Sequence, residues 1–319
     1  MTAVGPDPPG APTSRFGSRL THQGATAVTY CVAMFMSIMD SQIVNVALPR
    51  LARDFHVTIP SVQWVVTAYL MAIAVFVPAS GWLGDRFGTK RVFMLAVGAF
   101  TVASLLCAIS TSLGELVVMR ILQGAGGGMM VPVGMSMLYR AYPPERRVQV
   151  ARLITRVMVI APATAPIIGG TLVTWASWRW IFTINIPVGV AALAFGTVFL
   201  AEHREPHSGR FDLVGALLGG AGLGLLLFSV GSGPTLGWGS PEVVATGAAA
   251  VVALAVFVRL ELRRPQPVLN LHLLRDRMFR RSCSVIGFQA TTFFGTLVFT
   301  SLYLQEGRGL SAINSGLST

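Results

Sequence analysis

An all-α polytopic membrane protein is the fold class this sequence predicts, and three observations predict it. Of 319 residues, 53% are hydrophobic and only 12% charged, where a soluble domain carries about a quarter charged residues. Mean hydropathy is +0.66. Apolar runs recur along the whole chain, each long enough to cross a ~30 Å hydrocarbon layer as a helix rising about 1.5 Å per residue. The net charge of +11 is assigned to cationic cytoplasmic loops, so nucleic acid is not an expected partner. Cys31, Cys107 and Cys283 lie singly in or at apolar segments, at a spacing that fits neither a zinc site nor a disulfide framework.

Residues 1–24 are rich in Pro, Gly, Ser and Thr and read as a disordered cytoplasmic tail. The apolar run that follows is too long for a secretory signal core and has no small-residue cleavage site after it, so it reads as an uncleaved first span. Nine spans are predicted, at residues 25–49, 62–83, 92–110, 116–138, 148–173, 180–200, 213–230, 243–258 and 283–304. Residues 310–319 read as the entry to a tenth, and the sequence stops inside it, so a C-terminally truncated piece of a longer protein is expected.

Lys and Arg set the orientation. One side of the span order collects Arg15 and Arg19, the group from Arg86 to Arg91, the group from Arg140 to Arg152, Arg204 and Arg210, and the group from Arg259 to Arg281. The other side carries only Arg50, Arg53, Arg179 and Arg308. The first side is therefore expected to be cytoplasmic, with the N-terminus inside, in a multi-pass protein of the cell membrane.

Asp40 is the first candidate functional residue. It sits near the middle of the first span, where an ionised side chain costs several kcal/mol unless neutralised, paired or wetted. Ser37, Val44 and Ala47 share its helical face, whereas Asn45 lies about 140° away and pairs with Gln42. In the fourth span Arg120 is followed at i+3 by Gln123, on the same face. The cluster Gly124–Gly128 then permits close approach of a neighbouring helix. Arg156 in the fifth span reads as a snorkelling arginine or a cavity-facing one.

Between the second and third spans lie Gly81, Gly84, Asp85, Arg86, Gly88, Lys90 and Arg91. The glycines permit a tight cytoplasmic turn, and Asp85 is expected either to cap the third span or to pair with a cation. The fifth span contains Pro162 and Pro166 followed by Gly169 and Gly170, so it is expected to kink, with small residues making a smooth face. Trp175, Trp178 and Trp180 flank the sixth span, as in an interfacial indole belt.

Taken together these motifs resemble those of the major facilitator superfamily. The Gly81–Arg91 loop is similar to its gating signature, the Arg120–Gly128 stretch to its fourth-helix motif, and the Pro162–Gly170 stretch to its antiporter motif, with Ala161 and Ala165 where that motif has glycine. The runs from Ile38 to Pro49 and from Trp178 to Gly189 resemble the fourteen-span EmrB/QacA-type drug:proton antiporters, with Met39 and Gln42 where those usually have Leu and Thr. Asp212, the Pro267–Phe279 connector and the Tyr303–Ser311 loop agree with that group. The resemblance implies a major facilitator fold with an N-terminal six-helix half at 25–201, two linker helices at 202–262, and at 263–319 a basic connector, the first helix of a truncated second half and the start of the next.

The function so implied is secondary active export of hydrophobic or amphipathic drugs or antibiotics in exchange for protons. Asp40 is the coupling acid in a low-dielectric cavity, which disfavours its charged form. Arg120 modulates it, and Gln42, Asn45 and Gln123 are cavity polar groups. Asp85 and Arg86 are latches rather than substrate ligands, in a gating loop that also holds Lys90 and Arg91. The expected partners are a drug-like hydrophobic or cationic substrate, protons and the lipid bilayer. The proton gradient supplies the energy with no cofactor, and no oligomeric state is implied. Exporters of one metabolite or lipid, and a non-transporting fragment, remain as alternatives. A nutrient symporter is disfavoured by the Pro/Gly pattern of the fifth span. No H-E-x-x-H, G-x-S-x-G or phosphate-loop motif points to an enzyme, and the five histidines lie in loops or the tail.

Overall fold

A computed structural model describes residues 22–204, 212–264, 267, 269–303 and 307–308. The expected tail to residue 21, Phe211, and the entry to a tenth span at 310–319 lie outside them. The described residues form helices α1 (His22–Asp54), α2 (Ile59–Val62), α3 (Trp64–Phe87), α4 (Thr89–Ile109), α5 (Leu113–Ala141), α6 (Arg147–Trp175), α7 (Trp180–Thr183), α8 (Asn185–Phe199), α9 (Leu213–Leu236), α10 (Pro241–Glu261) and α11 (Arg277–Leu302). Among them, eight helical stretches are long and apolar enough to cross a membrane. These cover the first eight predicted spans, and α11 covers the ninth. Most run several residues past the predicted ends, because a helix continues beyond the hydrocarbon once its polar residues reach water.

α5 is the central element, and its glycines decide what packs on it. A Cβ on Gly124 would sit 2.5 Å from the Tyr69 carbonyl oxygen, and one on Gly128 would sit 2.8 Å from that of Ile73, so α3 lies backbone to backbone along one face. A Cβ on Gly126 would sit 2.8 Å from the Phe100 nitrogen, so α4 closes equally tightly on another. The sequence reading expected one close neighbour; the structure has two. α1 packs along α5, α6 and α8. Its seam with α6 runs through Gly169, where a Cβ would meet Ile43 Cγ1 at 2.7 Å.

α6 continues through both Pro162 and Pro166. Between them the Thr164 hydroxyl donates back to the carbonyls of Ile160 (2.9 Å) and Ala161 (3.2 Å), satisfying its own polar group inside the span. Pro162, Gly169 and Gly170 are buried and Pro166 is half-buried.

The α9–α10 hairpin packs its own glycines inward, Gly222 against Leu254 and Gly219 against Phe257. It docks on α3 through Gly220 against Val75 and through Phe228 against Trp64, with ring centroids 5.1 Å apart. At its base Asp212 caps α9 by accepting from the Gly215 N–H (2.7 Å) and pairs with Arg264. Buried Glu261 accepts from the Leu269 N–H at 2.9 Å. Every described side chain of α11 from Arg277 to Phe293 is exposed.

Two expectations are corrected. Trp178 is not an interfacial indole: it is buried, and its Nε1 donates to Asp54 at 3.0 Å, while Trp175 and Trp180 are exposed. Gly81 and Gly84 are not turn residues but lie inside α3, which runs on to Phe87; only Gly88, with φ +99°, makes the reversal into α4.

Candidate functional site

Between the apolar layers of the six-helix bundle lies a compact polar cluster. Asp40 of α1, Arg120 and Gln123 of α5, Ser104 of α4 and Asn185 of α8 are each 0% exposed. The sequence places them by helical phase. Asp40 shares its inward face with buried Ser37, Val44 and Ala47, and Arg120 and Gln123 are one turn apart on the buried face of α5. Asn185 is the first residue of α8, separated from the end of α7 only by Ile184.

Arg120 Nη1 donates to Asp40 Oδ2 at 2.5 Å and to Gln123 Oε1 at 2.7 Å, and Nε donates to the Val65 carbonyl at 3.1 Å. The guanidinium carbon lies 3.9 Å above the centre of the Tyr69 ring, a desolvated cation–π contact. Asp40 Oδ1 accepts from Gln123 Nε2 (3.0 Å) and from Asn185 Nδ2 (2.8 Å). Ser104 Oγ accepts from Gln123 Nε2 at 2.6 Å and lies 3.4 Å from Asn185 Nδ2. The Cys107 thiol reaches Gln123 Oε1 at 3.6 Å, and Tyr69 Oη donates to the Ser37 carbonyl at 3.3 Å. The acid thus receives three donors from two helices. Burial of such a pair is costly unless the surrounding lone pairs and protons are satisfied; the two amides do this for the carboxylate, while Arg120 Nη2 and Asn185 Oδ1 have no hydrogen-bond partner among the described residues. Chemically the cluster holds one negative charge against one positive charge, and a proton arriving on the acid would dissolve that pairing.

Asp40, Arg120 and Gln123, named from the sequence, do come together, with Arg120 turned into the bundle rather than snorkelling. Gln42 and Asn45 do not join them. Gln42 is half-buried and Asn45 exposed, its amide nitrogen 3.5 Å from the Ser41 carbonyl. Asp40 is enclosed by α1, α5 and α8, and the exposed face of α1 carries Asn45. Asn185, Ser104, Tyr69 and Cys107 were missed. Asn185 alone had a signal, as an amide in an otherwise apolar run. Arg156 is exposed on α6.

A second polar cluster surrounds the α3–α4 reversal. Asp85 does not cap α4; its Oδ1 accepts from Arg140 Nη2 of α5 at 3.3 Å. The cap is Glu202, just past α8, whose carboxylate accepts from the backbone N–H groups of Lys90 (3.0 Å) and Arg91 (3.3 Å) and lies 3.6 Å from Arg91 Nε. The same carboxylate lies against Gly88, in space a Cβ would fill. Lys90 Nζ donates to the Thr197 carbonyl at 2.8 Å, and the Thr89 N–H donates to the His203 carbonyl at 2.8 Å. Arg86 is exposed. Among the described residues no three His, Cys, Asp or Glu side chains converge as metal ligands would.

Comparison with known proteins fits this architecture. The chain is 35% identical over 294 residues to the multidrug resistance protein B homolog of Mycobacterium tuberculosis, covering 92% of this chain and 54% of that protein. It is 34% identical over 293 residues to the tetracenomycin C resistance and export protein of Streptomyces glaucescens, again covering 92% and 54%. The chain therefore spans about half the length of these curated relatives. Among solved structures, the human organic anion transporter MFSD10 superposes with a TM-score of 0.55 at 14% identity, over 92% of this chain and 68% of that one. A D-xylose–proton symporter superposes at 0.51 and 14% identity, over 76% and 69%. Both share the fold. The family model of the Major Facilitator Superfamily matches residues 30–319: this multi-pass membrane protein belongs to that superfamily of transporters.

Proposed function

We propose that the chain is the N-terminal half, the linker pair and the first helix of the second half of a drug:proton antiporter. In this reading it exports hydrophobic or amphipathic compounds and is driven by the proton gradient through Asp40. The observation that carries the reading is the wholly buried Asp40–Arg120 pair. A protein keeps a carboxylate and a guanidinium inside a hydrocarbon-embedded bundle at considerable cost, and a group that must take up and release a proton gives a reason to keep them. Taking up a proton turns the Asp40 carboxylate into a neutral acid and releases Arg120 from it. That change in charge biases how α1, α5 and α8 pack. Resistance and export relatives support a drug-like substrate. The Arg and Lys asymmetry supports a cytoplasmic N-terminus.

Because Asp40 is enclosed by α1, α5 and α8, access to it requires these helices to shift, as in rocking of one half against the other. The half-exposed α1 face with Gln42 and Asn45 then belongs to the substrate path, and Asp85, Arg140, Lys90, Arg91 and Glu202 to the opposite, cytoplasmic end, where they hold α3, α4, α5 and the exit of α8 together.

The test is proton movement in proteoliposomes loaded with a pH dye and given an inward or outward gradient of ethidium, a cationic amphipathic probe. The chain completed with the second half of the transporter is expected to move protons against ethidium, and Asp40→Asn in it to stop the movement. Equal proton movement in the two proteins, whether fast or nil, overturns the antiport reading for this chain.

A further inference from the structure

We propose that Asn185 is a positioning residue that reads the protonation state of Asp40, turning its side-chain amide end for end when the acid takes up a proton. This rests on the reading of Asp40 as the proton-coupling acid.

An ionised carboxylate only accepts, so the amides beside Asp40 must face it with nitrogen, as Gln123 Nε2 (3.0 Å) and Asn185 Nδ2 (2.8 Å) do. A protonated Asp40 carries an O–H that needs an acceptor, and a buried donor without one costs a full desolvation penalty. Gln123 cannot supply it. Its Oε1 is held by Arg120 Nη1 at 2.7 Å, and a guanidinium has no acceptor atom, so turning Gln123 would set N–H against N–H.

Asn185 carries no such lock, because its buried Oδ1 has no hydrogen-bond partner among the described residues. Turning it replaces N–H···O⁻ by O–H···O=C, keeps one hydrogen bond between the two side chains, and moves the unpartnered position from Oδ1 to Nδ2. Ser104 Oγ, 3.4 Å from Asn185 Nδ2, is a hydroxyl and can face either end of the amide. Only one bond forms, the O–H of the acid, and its proton comes from water.

The other titratable groups facing Asp40 are Arg120 of α5, Tyr69 of α3 and Cys107 of α4. Arg120 has no acceptor atom, and Tyr69 Oη and Cys107 Sγ are hydrogen-bonded to the Ser37 carbonyl and Gln123 Oε1 rather than to the acid. α7 contributes Phe182 beside the guanidinium, and α6 meets α1 here through Gly169 against Ile43. Because Asn185 opens α8 directly after α7, its turning also places the proton's effect at the junction of those two helices.

The experiment is an acid-minus-neutral infrared difference spectrum of the chain in lipid nanodiscs, with the asparagine side-chain carbonyl labelled with ¹³C. The sequence has asparagines only at 45, 185, 270 and 314, so an Asn45→Ser background removes the other one within the bundle. The expected result is a carboxylic-acid band and a shift of the labelled amide band, both lost in Asp40→Asn. The amide shift alone should also be lost in Asn185→Leu, with the acid band moving to the frequency of a weaker hydrogen bond. A carboxylic band assigned to Asp40 without any movement of the labelled amide overturns the role of Asn185 and leaves the antiport reading standing. Absence of a titrating Asp40 band overturns both. If Asn185→Leu does not fold, the labelled chain with its own Asn185 decides the matter.

Discussion

Arg120 and Asp40 meet at 2.5 Å with neither side chain exposed, and the arginine reaches the acid through the same nitrogen that donates to Gln123. One geometry therefore serves two tasks: it neutralises a buried charge, and it fixes which way the Gln123 amide points.

Removing one partner should hurt far more than removing both. Arg120→Leu leaves a buried carboxylate facing only amides, at a cost of about 3–5 kcal/mol. The double variant Asp40→Asn with Arg120→Gln leaves neutral groups that can still bond to Gln123 and Asn185, and it should lie closer to the parent than Arg120→Leu does. Thermal unfolding in detergent of Asp40→Asn, Arg120→Gln and the double variant, read as a cycle, checks this. Additive losses would mean that the pair does not act as a unit. Arg120→Lys should not rescue, because an ammonium cannot reach Val65 O, Asp40 and Gln123 from the positions the guanidinium uses.

The glycines of α4 and α5 divide into those that space helices and those that do not. Gly124→Ala and Gly126→Ala press a methyl group into the backbones of Tyr69 and Phe100 at 2.5 and 2.8 Å, so a loss of about 1–3 kcal/mol is expected from overpacking. Gly98 of α4 has nothing within 4 Å of its would-be Cβ. Gly98→Ala should be neutral or gain up to about 1 kcal/mol from helix propensity. Melting temperatures of the three variants in one detergent separate the cases, and a loss at Gly98 equal to that at Gly124 would contradict the seam.

Much of this architecture is written in the chain, and the exceptions have physical reasons. The spans are legible because a helix in lipid must be apolar on every outward face. Asp40 and Arg120 are legible because a charge in such a run is rare, and their pairing follows once α1 and α5 are neighbours. Ser104 and Tyr69 are not, since single neutral polar side chains are ordinary in apolar helices, and the lone amide of Asn185 is visible without its partner, because only the packing says which way it faces. Trp178 reads as interfacial from its flank position, but its indole turns inward because Asp54 offers an acceptor. The turn at Gly88 is blurred by Gly81 and Gly84, which a helix tolerates as readily as a loop does.

Asp85 and Arg140 form a pair beside the α3–α4 reversal whose loss should leave stability nearly untouched. Their side chains are 42% and 36% exposed at a separation of 3.3 Å, and such a pair contributes about 0–1 kcal/mol, less at high salt. Asp85→Asn should therefore shift unfolding within that range. If the pair works as a latch, the same substitution should raise the labelling rate of a cysteine introduced at Ser136, on the α5 face near Arg140, while the unfolding curve stays put. Unchanged labelling would leave the pair without a conformational role.

Glu202 should matter more than its surface position suggests. It occupies the end of α4 where a capping side chain normally comes from the helix's own sequence, but that residue is Gly88, which has no side chain and holds φ +99°. The carboxylate arrives instead from beyond α8, accepts from Lys90 and Arg91, and places a negative charge at the positive end of the α4 dipole. Losing such a cap costs about 0.5–2 kcal/mol. Glu202→Gln keeps an acceptor oxygen and should lose part of this, whereas Glu202→Ala should lose all of it. The loss should be local: hydrogen exchange should speed up at the Lys90 and Arg91 amides and leave the amides of mid-α5 unchanged. Gly88→Ala attacks the same joint from the other side, forcing a Cβ into both a left-handed backbone and the Glu202 carboxylate. It should destabilise more than Glu202→Ala does. Combining the two should recover part of that excess, because the clash disappears with the glutamate while the backbone strain stays. An unrecovered double variant would show that strain, and not the crowding by Glu202, is why glycine stands there.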